Sequence, residues 1–338
     1  MTEPAGPPPP ADLRVLAVDG LGEVVEGADL AALLADAVTL RDGDVVVLTS
    51  KVVSKAEGRV RRGSREEHLA GETARVVARR GPTSIVRTRH GLVMAAAGID
   101  DSNVEVGSVV LLPRDPDASA RRLREALGAR TGRNVAVVVT DTAGRAWRTG
   151  QTDIAVGAAG LEVLLDHAGR TDAYGNRLAV TAPAVADELA GAADLVKGKL
   201  AGRPAAVVRG LAALVLERGR HGAGAAALVR HEASDMFGLG SREAVLAALA
   251  GRDDGSQSAF GEPVSDDDLA AGLALLPGGG DAHAESGTVV VRLTGPERER
   301  GATEARLTAA AYALGWRLHR PSDGAETAVV LRFSVGSP

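Results

Sequence analysis

Cysteine is absent from the 338 residues, which excludes disulfides, a thiol nucleophile and any cysteine-ligated zinc or iron-sulfur cluster. Aromatic residues are scarce: two Trp, two Tyr and three Phe leave little surface on which nucleic-acid bases could stack. The formal charge of -5 also argues against a nucleic-acid partner for the chain as a whole. No apolar run approaches the ~20 residues of a membrane span. The proline-rich start, Met1 to Pro10, lacks the basic-then-apolar order of a secretory leader, so no membrane partner and a cytoplasmic location are expected. The G-x-x-x-x-G-K-[ST] string and the H-E-x-x-H string are both missing, and the seven histidines are scattered without ligand spacing. Gly222-x-Gly224-x-x-Ala227, the nearest dinucleotide-like string, lies in an alanine-rich loop.

What is present is a globular composition, 45% hydrophobic and 25% charged, enough to bury a sizeable core in about two domains. Leu13 to Val18 and Asp44 to Ser50 read as strands, with a helix from Asp29 to Val38 between them. Ser64 and Glu67 form a capping box that predicts a helix to about Arg80. Ser84 to Ala97 reads as extended chain broken at Gly91, Asp117 to Ala129 as a helix and Asn134 to Thr140 as a strand. Pro183 opens a helix to about Lys197, and Ala205 to Val208 is a further strand. The alternation predicts an α/β fold. Past Arg218 a Gly/Ala-rich loop, an acidic linker over 246–268 and a short α/β module over 269–338 are expected; residues 1–11 read as a disordered tail.

Three polar clusters carry the chemistry. Thr140 to Asp153 leaves an apolar, β-branched run and packs two carboxylates, three hydroxyls, two arginines and an amide into the thirteen positions from Asp141, which reads as a catalytic loop at a strand end. Asp100 lies in Gly98-Ile99-Asp100-Asp101-Ser102-Asn103, also at the end of an apolar stretch. If the fold brings Asp100 and Asp141 together, they suit Mg²⁺ or Mn²⁺, which prefer oxygen ligands; two unrelated loop caps would look the same. Thr49 to Gly58 offers hydroxyls and two lysines to phosphate oxygens, although an edge strand guarded by lysines has the same pattern. Nine arginines between Arg59 and Arg89 could attract an anionic substrate or simply solvate a helix face.

In order and spacing, these clusters resemble the coenzyme F420-0:L-glutamate ligase (F420:γ-glutamyl ligase) family. The likeness is carried by TSKVVSKAEG (Thr49 to Gly58), RHGLVMAAAGIDDSN (Arg89 to Asn103), TDTAGRAWRTGQTDIAVGAAG (Thr140 to Gly160), DAYGNRL (Asp172 to Leu178), VTAPAVADELAGAADLVKGK (Val180 to Lys199) and AVVRG (Ala206 to Gly210). The resemblance implies a two-part α/β ligase fold over 12–245 that forms a homodimer. It also implies a carbon-nitrogen ligase: GTP phosphorylates the free carboxylate of coenzyme F420-0, and the amine of L-glutamate displaces phosphate from the acyl phosphate. Further γ-linked glutamates are added by some members. Asp100 and Asp141 are similar to the family's metal ligands and Thr142 to a second metal contact, for Mg²⁺ or Mn²⁺, with K⁺ as an accessory ion. Leu21, Gly22, Glu23, Val24, Ser50, Lys55 and Asn103 are similar to its GTP contacts. Lys55, Asp100 and Asp141 are thereby expected to be catalytic. Arg148, Gln151 and Asp153 are additional candidates for holding substrate carboxylates or orienting the amine; bracing the loop is the other reading.

The chain departs from the family at Gly22, where proline is usual, and at Thr149, where asparagine is usual. The larger departure is C-terminal. Actinobacterial bifunctional members continue into a flavin-binding nitroreductase-like domain, for which the residues to Pro338 are too few. A degenerate remnant or an unrelated module without flavin is therefore expected over 269–338. A bifunctional protein retaining flavin-dependent reductase activity and a non-catalytic cofactor-binding homologue are the alternatives.

Overall fold

The computed structural model describes residues 12–319 and 328–335, so the expected tail over 1–11 lies outside the described residues. The chain divides into two compact units. One comprises the residues up to Val76 with Thr83–Val229, the other Val77–Pro82 with the residues from Arg230 onward.

The first unit is organised by strands that are apolar on both faces. Val45–Thr49 and Ala136–Arg145 pair in parallel, Val45 opposite Ala136 through Thr49 opposite Thr140. Ala205–Arg209 lies antiparallel between Val45–Thr49 and Arg14–Val18, and Arg148–Ala159 folds back on Ala136–Arg145. The result is a five-stranded mixed sheet. Val46, Leu48, Val137, Val139 and Val207 pack with Leu34, Leu123 and Leu127 from helices Leu30–Ala37 and Pro116–Thr131. The alternate residues Val45, Val47, Ala136, Val138 and Val208 pack on the other face with Leu189 and Ala193 of helix Val185–Lys197. Cover on both faces explains why these strands read as continuous Val/Ala runs instead of alternating with polar residues.

Local signals fix the helix ends. Asp29 and Asp115 accept backbone N–H bonds from Ala32 and Ala118, each at 2.9 Å, and Pro116 occupies the first turn where its missing donor is harmless. The Ser64 cap is also present, accepting from the Glu67 N–H, but its helix covers only Arg65–Glu72. Thr73–Arg80 is a strand, which corrects the expectation of one helix to Arg80. The β-branched Thr73, Val76 and Val77 favour extended chain once neighbouring strands are available.

The polar block after Thr140 is also not a loop. Its residues extend the strand to Arg145, turn through Ala146 and Trp147, and return from Arg148 as the second arm of a β-hairpin. Trp147 takes a left-handed φ of 60° at the tip, a conformation that Gly or Asn more often supplies.

The second unit has its own core. His283–Glu285, Thr288–Thr294, Ala328–Val335 and Trp316–His319 form, in that order, a four-stranded antiparallel sheet. Helices Asp266–Ala274 and Glu297–Ala313 bury Leu269, Leu273 and Leu307 with Val289, Val291, Leu331 and Phe333 of the sheet. Within 246–268, a 3-10 helix over Ser256–Phe260 sets Phe260 edge-on to Tyr312, with ring centroids 5.9 Å apart. Among the described residues, no helix is long and apolar enough to cross a membrane.

Candidate active site

The polar clusters converge where the parallel pairing of Val45–Thr49 with Ala136–Arg145 ends. The register that places Thr49 beside Thr140 also brings the segments that follow them together. After Thr49 the chain enters helix Ser50–Ala56 directly, and Lys51 and Lys55 stand four residues apart on one face. Ser50 donates its hydroxyl to Asp141 Oδ1 at 3.0 Å. Opposite Ala136–Arg145, the strand pairing slips by one residue between Val139 and Thr140, at the transition from apolar to polar sequence. Such a bulge re-aims the side chains beyond it.

Asp100 reaches the same place from a different segment. Paired backbone bonds with Val110, at 3.0 and 2.7 Å, fix its position. Two residues earlier, Gly98 has φ +71°; a Cβ there would stand 2.9 Å from Leu112 Cγ and 3.2 Å from Asp141 Oδ2, so the close approach to Asp141 depends on glycine. Lys51 Nζ meets Asp100 Oδ2 at 2.7 Å and Ser102 Oγ at 2.7 Å, and the Ser102 N–H donates to Asp100 Oδ1 at 2.7 Å.

Asp153 lies across the hairpin from Thr142. Its carboxylate accepts from Thr142 Oγ1 through Oδ1 and from Thr140 Oγ1 through Oδ2, each at 2.9 Å. Lys197, at the end of helix Val185–Lys197, completes the group: Nζ lies 2.6 Å from Asp153 Oδ2 and 3.0 Å from Thr140 Oγ1. The Lys197 and Asp153 side chains are 2% and 4% exposed.

These groups border a cavity of about 470 Å³. Its wall includes Leu21, Gly22, Glu23, Val24, Ser50, Lys55, Asp100, Asn103, Asp141, Thr142 and Asp153, all nominated from sequence. Arg148 and Gln151 are exposed on the hairpin and do not line it. Lys51, one of the two lysines that the Thr49 to Gly58 block offers to phosphate, also lines it, as do Asp194 and Lys197, to which the sequence assigns no role. Only the Thr49 to Gly58 and Val180 to Lys199 blocks pointed toward these three. Lys55 Nζ lies 2.5 Å from Glu23 Oε1; Lys55 is 10% exposed and Glu23 75%, so the carboxylate is the easier of the two to displace.

The three carboxylates differ in their charge partners. Burial pushes the Asp100 carboxyl up, but hydrogen bonds from Lys51 and Ser102 and the Lys51 charge outweigh it and hold the pKa below the ordinary value. Asp153 has Lys197. Asp141 has the Ser50 hydroxyl, and burial followed by the nearby Asp153 and Asp100 charges pushes its pKa up to about 7. An all-oxygen set around a carboxylate in electrostatic deficit fits a hard divalent cation. Among the described residues no cluster of three His, Cys, Asp or Glu side chains is spaced to hold a metal ion. The cavity offers two neighbouring carboxylates, Asp100 and Asp141, and Mg²⁺ commonly takes one or two from a protein with phosphates and water in its other positions.

The sequence pattern of the family described as F420-0:Gamma-glutamyl ligase matches residues 20–80 and 65–210. Coenzyme F420:L-glutamate ligase of Archaeoglobus fulgidus is 42% identical over 221 residues, covering 59% of this chain and 88% of that protein. The protein of the same name from Methanothermobacter thermautotrophicus is 41% identical over 225 residues, covering 59% and 89%. That from Methanopyrus kandleri is 39% identical over 246 residues, covering 67% and 97%.

Proposed function

The chain belongs to the F420-0:gamma-glutamyl ligase family, and we propose that it joins L-glutamate to coenzyme F420-0 at the expense of GTP through an acyl phosphate. It is a ligase of coenzyme F420 biosynthesis. The observation that carries the finer reading is the cavity itself, which gathers Lys51 and Lys55, suited to phosphate, and the desolvated Asp141, which has no cationic partner among the described residues.

In the first step a carboxylate oxygen of F420-0 attacks the γ-phosphorus of GTP, the bond to the bridging oxygen breaks and GDP leaves. In the second, the glutamate amine attacks the acyl carbon, the carbon-oxygen bond to phosphate breaks, and the amine loses a proton. Lys55 offers a compact positive charge to the nucleotide phosphates once Glu23 yields it. Ser50 and Asn103 border the same space, and Leu21 to Val24 form a backbone wall against the nucleotide. Asp100, Asp141 and Thr142 would hold Mg²⁺ or Mn²⁺, which when bound supplies positive charge to the transferring phosphoryl group. K⁺ is an accessory ion in this reading. Arg148 and Gln151 hold a substrate carboxylate from outside the cavity wall. The protein acts in the cytoplasm as a homodimer, and the module over 269–338 contributes no flavin.

Mass spectrometry of purified protein incubated with F420-0, L-glutamate, GTP and Mg²⁺ or Mn²⁺, with GDP release followed in parallel, tests the proposal. Metal-dependent products heavier by one or more glutamyl units are expected, and their masses count the additions. GTP binding without any glutamylated product would overturn the reading.

A further inference from the structure

Lys197 is a lysine where lysine is expensive. An ammonium group held 2% exposed loses its hydration, and replacing a buried ion pair by apolar residues of similar size is often neutral or stabilising. Its presence beneath the cavity therefore calls for a role beyond stability.

The hydrogen bonds indicate what that role is. Thr142 Oγ1 donates to Asp153 Oδ1 at 2.9 Å, which commits the Thr142 hydrogen to Asp153. The oxygen lone pairs of Thr142 are thereby left for other partners. Lys197 Nζ lies 2.6 Å from Asp153 Oδ2 and holds that carboxyl in place, and Thr140 braces the contact by accepting from Lys197 and donating to Asp153. Lys51 does the corresponding service for Asp100 at 2.7 Å.

We propose that Lys197 is a positioning residue for the divalent cation: through Asp153 it fixes the Thr142 hydroxyl with its hydrogen turned inward and its oxygen available as a ligand. The inference rests on the metal-dependent reading above. It assigns Asp153 to orienting a ligand instead of binding substrate. Partners that orient the ligands of a metal typically change its affinity ten- to a hundredfold when removed.

The test is Mn²⁺ binding to the full-length protein, followed by electron paramagnetic resonance without substrates, so that no turnover is needed. Lys197→Met alone strands a buried carboxylate and can fail to fold. The informative variant is therefore Lys197→Met with Asp153→Leu, which replaces the pair by apolar side chains. The double variant should unfold at or above the wild-type urea midpoint yet bind Mn²⁺ about tenfold or more weakly. Adding Thr142→Val to it should weaken binding little further, whereas Thr142→Val in the wild type should weaken it by a similar factor. A double variant that binds Mn²⁺ as tightly as wild type overturns the inference and leaves the ligase reading standing. Wild-type protein that binds no Mn²⁺ overturns the metal reading and the inference with it.

Discussion

The two units of this chain bury different kinds of side chain. Among the described residues, the buried polar and charged side chains are Asp44, Ser50, Ser54, Lys55, Arg59, Thr88, Ser108, Ser119, Arg124, Thr140, Asp153 and Lys197, all in the first unit. The core of the second unit is built from Leu, Val, Ala, Trp and Phe. A fold needs only the latter arrangement to be stable; buried ionisable groups are costly unless paired, and they concentrate where chemistry requires them. The family match, over residues 20–80 and 65–210, falls almost wholly in the unit that carries this burden.

The sharpest way to break that contrast is Lys197→Met. Removing one partner of a buried pair should destabilise the first unit by about 3–5 kcal/mol in urea denaturation, and an unchanged midpoint would mean that the pair is not buried in solution. Asp141→Asn should act in the opposite sense on function and folding. Turnover of F420-0 should fall by about 3 kcal/mol of transition-state stabilisation, while the metal-free protein becomes no less stable, since a desolvated charge has been removed. Near-normal turnover in this variant would remove Asp141 from the metal site.

The pH dependence follows from the same carboxyl. Its folded pKa, raised to about 7, lies above the ordinary value of 3.8, so the folded state binds the extra proton. This group therefore weakens the metal-free protein as pH rises from about 4 through about 7, and the effect levels off above that. A cation must displace that proton, so Mn²⁺ affinity should fall about tenfold per pH unit below 7. Thermal melts with chelator and with Mn²⁺, across pH 5 to 8, would show the two trends diverging. Affinity independent of pH across that range would contradict the raised pKa.

Smaller effects sharpen the comparison. Arg148→Ala should raise the KM for one carboxylate substrate about tenfold with kcat nearly retained, the signature of lost uniform binding. Loss of kcat alone would place Arg148 in the chemical step instead. Leu307→Met, a change of similar volume in the second unit's core, should cost less than about 1.5 kcal/mol and leave glutamylation unaltered. A large loss of turnover in that variant would show that the second unit shares in the chemistry.

Sequence patterning made the α/β order legible because the central strands are strongly apolar and the helices Leu30–Ala37 and Pro116–Thr131 are capped by Asp29 and Asp115. It failed where pairing partners decide the outcome. Nothing local in Glu72-Thr73 marks the change from helix to strand, and the hairpin tip at Ala146-Trp147 carries no glycine. Asp100, Asp141, Ser50, Lys55 and the Leu21 to Val24 segment border one cavity: Ser50 opens the helix after Thr49, and Asp141 stands just past the point where the parallel pairing of Thr49 with Thr140 stops. Lys197 escaped notice for a physical reason: a lysine in the last turn of a helix is the ordinary complement to its dipole and normally reaches solvent. Only the packing of that helix beneath the hairpin turns it inward, onto a carboxylate 44 residues earlier.

The position of Ala205–Arg209 in the main sheet has a consequence for biosynthesis. It fills the slot between Arg14–Val18 and Val45–Thr49, so those early strands leave the ribosome with their shared neighbour still unmade. At about 5–20 residues per second, the interval is on the order of ten to thirty seconds. During that time the nascent chain presents unpaired, Val-rich strand edges, and the sheet that carries the cavity wall cannot be completed. The cavity is thus among the last parts of the first unit to be assembled, and the newly made chain passes through a window in which chaperone capture competes with sheet closure.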